Sequence, residues 1–238
     1  MNLKNFKYLF LLMMAVFMLS SCSEDDNTVD EYANWQERNE QAFADTLAYA
    51  KAQIAAGSTQ WKVIRKWSLN NQTSNTITNQ DGSTTTTPLT YKDYDNIVVQ
   101  VLEEGKGSGC PMYTDSVKVS YRGRLLGTDT YPAGYVFDKT FEGTYNKATA
   151  QLSKFVVSGL VDGFTTALLN MHIGDHWLVY IPYQLGYGTT ESSSSSIPAY
   201  SMLRFEIVLD SYYRVGQTVP SSRAAQKAEN QKGTWITE

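Results

Sequence analysis

The feature that most constrains the fold is the strict alternation of side chains in the segment Val117–Arg122. Its apolar residues, Val117, Val119 and Tyr121, are separated by polar ones. This period of two is typical of a strand with one face on the core and the other on solvent. Further strands are predicted at residues 96–103, 135–141, 177–181 and 202–209.

One short helix is predicted among these strands. In residues 161–171, Phe164, Leu168 and Met171 share one helical face, and Gly174 follows as the stop. Strands on both sides of a single short helix predict an α+β fold in which an antiparallel sheet wraps around that helix. The periodicity alone does not predict the order of the strands.

The residues before this region predict an extension. An apolar spacing of three to four residues indicates an N-terminal helix over 30–56, which Gly57 ends. Residues 61–67 favour a short strand, and the polar stretch 70–88 is typical of a loop or hairpin tip. The predicted organisation is a helical and polar extension at 31–95, a folded domain at 96–212 and a polar C-terminal tail at 213–238.

The N-terminus is typical of a secretory signal. Lys4 and Lys7 precede an apolar run at residues 8–19, which is too short to span a bilayer as a helix. The segment Leu19–Cys22 resembles the lipobox of bacterial lipoproteins, which implies that residues 1–21 are removed and that Cys22 carries lipid. Residues 22–30 would form an acidic tether. The protein would then be a cell-envelope protein, an outer membrane lipoprotein that faces the periplasm or the cell surface. The alternative is an ordinary signal peptide with an incidental cysteine.

Composition argues against several kinds of partner and site. The net charge is −4 and no basic stripe is present, so nucleic acid is not an expected partner. Cys22 and Cys110 are the only cysteines, and they form no disulfide framework if Cys22 carries lipid. His172 and His176 lie four residues apart, but Gly174 ends the helical pattern between them, so no metal site is expected.

Three segments in the C-terminal half carry a family resemblance. They are Gly159–Phe164, then Ile181–Gly188 with an Ile-Pro and a Tyr-Gly pair, then Ile197–Ala199 with a second Ile-Pro pair. With Phe137–Asp138 upstream, this order resembles the FKBP-type peptidyl-prolyl isomerases from about residue 96 to 212. The resemblance implies an FKBP-like fold and an apolar pocket for a proline ring, with no metal, cofactor or nucleophile.

The same resemblance implies the residues of the pocket. Tyr121 is expected as the pocket tyrosine of the first long strand, Phe137 and Asp138 as the Phe-Asp pair, and Tyr187 as the hydroxyl that reaches the substrate carbonyl. These four are the predicted catalytic residues. The predicted substrate-binding residues are Phe155, Val161, Phe164, Ile197 and Phe205. The backbone N–H of Val161 is expected to hold a ligand carbonyl.

Structural roles compete with these functional ones. Core packing could explain Val161, Phe164 and Phe205, and a strand-end cap could explain Asp138. Tyr187 is harder to explain as a core residue, because it precedes a glycine in a loop between two Ile-Pro pairs.

Two segments depart from the family pattern. The loop 127–135 is longer than in compact members and contains Pro132, and the serines at 192–196 replace a flap that contains Gly and His in relatives. Both are expected to border the pocket and to affect substrate preference.

Three functions therefore compete at this point. The first is a membrane-tethered isomerase that acts on proline-containing polypeptides as they fold outside the cytoplasm. The second is an FKBP-like chaperone or peptide-binding module with little or no catalysis. The third is a structural surface lipoprotein whose N-terminal helix mediates assembly, including a homodimer.

Overall fold

The computed structural model of the chain describes residues 30–191, 196–214 and 234–237. The predicted signal peptide, the lipidation of Cys22, most of the acidic tether and most of the serine run lie outside these residues. So does the segment 215–233 of the predicted tail. Within the described ranges, no helix combines the length and the hydropathy that a membrane crossing requires.

The strands of the described chain pair in antiparallel fashion throughout. They are β1 (Trp61–Arg65), β2 (Ser74–Thr78), β3 (Thr84–Pro88), β4 (Asn96–Glu103), β5 (Ser116–Arg124), β6 (Val136–Lys139), β7 (Ser153–Val156), β8 (His176–Ile181), β9 (Leu203–Arg214) and β10 (Thr234–Ile236). The main sheet has the order β1-β4-β8-β9-β5-β6, with β7 paired to β5 and β10 paired to β9. β2 and β3 form a separate exposed hairpin in the polar stretch where a hairpin tip is predicted.

The short helix, α2 (Asp162–Leu168), packs against the inner face of the main sheet. Gly163 allows this close approach, because a Cβ there would lie 2.2 Å from Cγ2 of Ile181 on β8. The helix is shorter than the predicted 161–171, since Val161 is its N-cap in an extended conformation (ψ 148°) and Leu169 is its C-cap. The predicted α+β class, an antiparallel sheet around a short helix, is confirmed.

The N-terminal helix, α1 (Trp35–Ala55), covers part of the other face of the sheet. Phe43 and Leu47 of α1 are buried in a cluster with Val98 of β4, whereas the neighbouring Val99 belongs to the cluster that contains α2. Successive side chains of a strand point to opposite faces, so the sheet separates the two helices. The apolar stripe of α1 is thus buried within its own chain.

The start of α1 differs from the prediction of residue 30. Asn34 adopts a left-handed backbone conformation (φ 51°), and the helix begins only after it. Two long-range hydrogen bonds then hold this end of α1 in place. The Trp35 indole Nε1 donates to Ser201 Oγ (2.8 Å), and the Met202 amide donates to Asn39 Oδ1 (2.8 Å).

The structure joins the predicted extension at 31–95 to the predicted domain at 96–212. β1 pairs with β4 from Trp61 opposite Gln100 to Arg65 opposite Asn96, so it is an outer strand of the same sheet. The described residues from Tyr32 onward belong to one compact unit. β1 of the predicted extension and β4 of the predicted domain are therefore neighbouring strands of one sheet.

The predicted tail at 213–238 also takes part in the sheet. β9 continues to Arg214, beyond the predicted end at 209, and Thr234–Ile236 forms β10 against it. The Trp235 ring lies under the ammonium groups of Lys118 (4.4 Å to the ring centroid) and Lys154 (5.5 Å). These cation–π contacts help to hold β10 against the sheet, although the polarity of the segment alone predicts a tail.

Candidate active site

A cavity of about 450 Å³ opens between α2 and strands β5, β6 and β9. All the predicted pocket residues except Ile197 line it. Two further residues that the prediction omitted, Gly159 and Leu160, complete the wall, although both lie within the motif that carried the resemblance. The lining residues are Tyr121, Phe137, Asp138, Phe155, Gly159, Leu160, Val161, Phe164, Tyr187 and Phe205.

Aromatic rings form the inner end of the cavity. Phe164 on α2 is 3% exposed, and its ring meets Phe205 of β9 edge to face, with centroids 5.0 Å apart. Phe137 of β6 meets the same Phe205 ring edge to face at 5.4 Å. Edge-to-face packing fixes the orientation of each ring. The inner end of the cavity is therefore an apolar surface of three packed rings.

Gly123 is a residue of the site that sequence reasoning missed. It continues the inward-facing positions of β5 after Tyr121, and a Cβ there would lie 2.4 Å from Cζ of Phe137 and 2.7 Å from Cε1 of Phe205. Only a hydrogen atom fits under these two rings. The available signal was a glycine at an inward position of an otherwise regular strand, which marks a close approach.

Tyr121 and Asp138 form the main polar contact of the cavity. The Tyr121 hydroxyl donates to Asp138 Oδ2 at 2.5 Å, and the Lys139 amide donates to Asp138 Oδ1 at 2.8 Å. Burial, together with this hydrogen bond to the carboxylate, raises the pKa of the Tyr121 phenol well above its usual value. The phenol therefore stays protonated as a donor, and Asp138 is oriented by groups on both of its oxygens.

Tyr187 stands at the mouth of the cavity with 42% of its surface exposed. Its loop is closed by the Gly188 amide, which donates to the Tyr183 carbonyl (2.8 Å), and by the Tyr200 amide, which donates to the Gly188 carbonyl (2.9 Å). Gly188 adopts a positive φ of 72°, which favours glycine. Within the described residues the Tyr187 hydroxyl has no hydrogen-bond partner, and burial followed by the charge of Asp138 raises its pKa.

Ile197 does not lie where the resemblance placed it. It is 0% exposed and belongs to the core cluster that also contains Phe164 and Phe205, so it supports the structure behind the cavity rather than lining it. The loop 127–135 does not line the cavity either. Its carbonyls accept hydrogen bonds from the guanidinium groups of Arg124 and Arg204 on the outer face of the sheet.

The segment before β2 holds the start of α2 in place. Lys66 Nζ lies 2.6 Å from Asp162 Oδ2, and the Trp67 indole Nε1 donates to Asp162 Oδ1 at 3.1 Å. The Trp67 amide also donates to Thr166 Oγ1 at 3.1 Å. The next residue toward the cavity is Val161, whose N–H donates no hydrogen bond within the described chain. It is therefore available to a carbonyl in the cavity.

The two histidines lie in different elements. His172 precedes the turn at residues 173–174, and His176 lies in β8, where its Nε2 is 2.9 Å from Glu206 Oε1 on the outer face. In the ranges that the structure describes, no three His, Cys, Asp or Glu side chains are grouped so that they could hold a metal ion.

Comparisons with known proteins place a family likeness on the residues of the cavity. Residues 107–210 match the family model described as FKBP-type peptidyl-prolyl cis-trans isomerase. The chain is 35% identical over 113 residues to the macrophage infectivity potentiator of Trypanosoma cruzi, and this alignment covers 48% of this chain and 51% of that protein. It is 34% identical over 110 residues to the FKBP-type 22 kDa peptidyl-prolyl cis-trans isomerase of Escherichia coli, and this alignment covers 46% of this chain and 47% of that protein.

A solved structure is also similar. The peptidyl-prolyl cis-trans isomerase of Pseudomonas syringae pv. tomato aligns with 73% of this chain and 92% of its own, with a TM-score of 0.45 and 25% sequence identity. The chain spans about half the length of the curated relatives it matches. In sequence, the segment that builds the cavity is thus similar to the FKBP-type peptidyl-prolyl cis-trans isomerases.

Proposed function

We propose that this protein is an FKBP-type peptidyl-prolyl cis-trans isomerase that accelerates X–Pro isomerisation in polypeptides. The observation that carries the proposal is the cavity itself. It combines an inner surface of Phe137, Phe164 and Phe205 with a hydroxyl at its mouth, from Tyr187, and a free backbone N–H, from Val161. The family match over residues 107–210 supports it.

The reaction needs a surface that prefers a twisted amide. Rotation about a peptide bond faces a barrier of about 18–20 kcal/mol, because resonance gives the C–N bond partial double-bond character. The twisted transition state has lost that resonance and is less polar than the planar amide. An apolar cavity that excludes water from the proline ring and its amide therefore favours the transition state over the ground state, which is the differential binding that lowers a barrier.

Hydrogen bonds hold the substrate on either side of the rotating bond. The Tyr187 hydroxyl and the Val161 N–H are the donors proposed for the flanking carbonyls, each contributing about 1 kcal/mol net. No proton moves in this reaction, so Asp138 needs no role as a general base. Its proposed role is to orient Tyr121 and to place negative charge beside the twisting carbonyl.

A rate assay tests the proposal. We expect the full chain to accelerate cis-to-trans conversion of a short X–Pro peptide, and Tyr187→Phe to lower kcat/KM about fivefold, the effect of about 1 kcal/mol. Phe137→Ala should lower it further. Tyr49→Phe, at an exposed tyrosine of α1, is the matched control and should leave the rate unchanged. Equal rates for the Tyr187 variant and the control would show that the site assignment is wrong.

The second candidate function is a peptide-binding module with little catalysis. Two features favour it if they border the cavity: the long loop 127–135 and the serine run 192–196. In the structure the loop is held on the outer face of the sheet instead, and residues 192–195 lie outside the described ranges. The same peptide separates the two functions, because a binding module would hold it without accelerating its isomerisation.

We further propose that the protein acts in the cell envelope and that a lipid on Cys22 anchors it to a membrane. The support is the order of a charged start, an apolar run and a lipobox-like segment. Metabolic labelling with a radioactive fatty acid should mark the wild-type chain, and Cys22→Ala should abolish the label. Label that persists in the variant would exclude this residue as the attachment point.

Assembly through α1 has less support. The apolar stripe of α1, which includes Phe43 and Leu47, is buried against its own sheet. Sedimentation of the intact chain over a range of concentrations tests the homodimer. The intact chain is used because deletion of α1 would expose Val98 and Met202 and destabilise the monomer.

A further inference from the structure

A cluster of three arginines lies on the face of the sheet opposite to the cavity. Arg122 and Arg124 occupy outward positions of β5, and Arg204 of β9 lies directly opposite Arg124 in the strand register. With Leu178 and Glu206 they line a cleft of about 190 Å³. The same two strands turn Gly123 and Phe205 inward, so the cleft and the cavity are separated by the thickness of the sheet.

The charges in this cleft do not balance. Glu206 Oε2 pairs with Arg122 at 2.5 Å, and Glu206 Oε1 lies 2.9 Å from His176. Among the described residues, neither Arg124 nor Arg204 has a carboxylate partner. The single carboxylate of the cleft is therefore already occupied by Arg122, and two cations remain.

Backbone carbonyls, rather than carboxylates, accept the hydrogen bonds of the Arg124 and Arg204 side chains. Arg204 donates to the Ala133 carbonyl at 2.5 Å, and Arg124 donates to the Gly134 carbonyl at 3.1 Å. These bonds fix the two guanidinium groups beside each other without neutralising them. Like charges directly opposite on neighbouring strands are destabilising. The pKa of Arg124 is lowered, first by burial and then by the charges of Arg122 and Arg204, which reflects the same excess of positive charge.

The local charge stands out against the whole chain, whose net charge is −4. We propose that Arg124 and Arg204 bind an oxyanion of the phosphate type in this cleft. Planar guanidinium groups offer paired N–H donors that match phosphate oxygens, and two of them held side by side can share one anion. Bound phosphate would neutralise the opposed pair. The phosphate could belong to a lipid headgroup or be free in solution, and the chemistry of recognition is the same.

The first experiment uses inorganic phosphate. Isothermal titration calorimetry of the full chain, at constant ionic strength set with chloride, should show binding that weakens at least tenfold in Arg124→Gln/Arg204→Gln. A control with the same change of charge, Lys106→Gln/Lys147→Gln, alters two exposed lysines elsewhere and should bind as the wild type does. Absence of binding to the wild type, or equal loss in both double variants, would overturn the proposal.

Two further measurements keep the result interpretable. Arg124→Lys/Arg204→Lys preserves the charge and guards against misfolding of the glutamine variant; it should bind phosphate more weakly than the wild type, because an ammonium group lacks the paired donors. X–Pro isomerisation should be unchanged in all these variants, since the cavity faces the other way. The phosphate site and the proposed isomerase activity can therefore fail independently.

Vesicles identify the source of the phosphate. If the ligand is a lipid headgroup, the wild type should cosediment with phosphatidylglycerol–phosphatidylcholine vesicles, and the arginine double variant should not. If it is a free anion, phosphate should bind by calorimetry while both proteins stay off the vesicles. Cosedimentation that is equal in the two proteins would contradict lipid recognition through these arginines.

Discussion

Gly123→Ala tests whether the inner surface of the cavity is as tightly built as the structure indicates. The added methyl group would lie 2.4 Å from Cζ and 2.5 Å from Cε2 of Phe137, and 2.7 Å from Cε1 of Phe205. Favourable carbon–carbon contacts are about 3.5–4.0 Å, so at least one ring must move by about 1 Å. Phe205 is buried between Phe164 and Tyr121, whereas Phe137 is only partly buried. Phe137 is therefore the ring that should shift, and it lines the cavity.

The expected magnitude has two parts. Overpacking of this kind costs roughly 1–3 kcal/mol. Replacing glycine by alanine where the backbone allows it stabilises the folded state by about 0.4–1 kcal/mol, because the unfolded chain has less conformational entropy. We therefore expect a net loss of roughly 0–2.6 kcal/mol in the free energy of unfolding relative to the wild type, and of roughly 1–3 kcal/mol relative to a glycine-to-alanine variant without overpacking. We also expect a lower kcat/KM for X–Pro isomerisation.

Urea denaturation followed by tryptophan fluorescence measures the loss as a shift of the midpoint at constant slope. Gly159→Ala is the matched stability control, because nothing lies within 4 Å of its added Cβ. Its stability should be unchanged or slightly higher. A Gly123 variant as stable as the Gly159 variant would refute the packing argument.

Tyr121→Phe removes the hydrogen bond to a carboxylate that is itself exposed to solvent, so it should lower the free energy of unfolding by about 1 kcal/mol in the same urea assay. Trp67→Phe keeps the stacking on Tyr113 but removes the indole donor to Asp162; it should raise KM for the X–Pro peptide more than it lowers kcat, because the start of α2 loses an anchor. At Glu206, burial would raise the pKa, but hydrogen bonds from His176 and Arg122 outweigh it and hold the pKa below 4.5. Its contribution to stability is therefore present above pH 4.5 and lost as the pH falls through the folded-state value, so Glu206→Gln should flatten the acid side of a stability–pH profile.

Each of these has a result that would count against it. Unchanged stability of the Tyr121 variant would mean that its hydroxyl is equally well hydrated without Asp138. A Trp67 variant that loses stability but keeps KM would make the contact with α2 purely structural. Parallel stability–pH curves for the wild type and the Glu206 variant would show that this carboxylate does not titrate differently on folding.

Local elements of the fold were accessible from sequence periodicity. β4 spans Asn96–Glu103, the predicted range, and β5 contains the predicted alternation and continues it through Gly123 to Arg124. Side-chain period and glycine positions are properties of short segments, so they can be detected without knowing what each segment packs against.

The features that the sequence did not predict share one cause. β10, the extension of β9 to Arg214 and the membership of β1 in the main sheet all depend on pairing with a strand far along the chain. The resemblance predicts Ile197 in the cavity wall, whereas in the structure it lies in the core cluster with Phe164 and Phe205. None of these contacts has a signal within its own segment.

The sequence by itself indicated which segments have a buried face and which glycines end helices, and its family resemblance indicated which side chains could form an apolar pocket. Only the tertiary structure decided the order of the strands, the burial of α1 against its own sheet and the opposed pair of Arg124 and Arg204. The physical reason is that backbone hydrogen bonds between strands are nearly the same for any sequence. Neighbours and register are therefore selected by packing summed over residues that are distant in the chain.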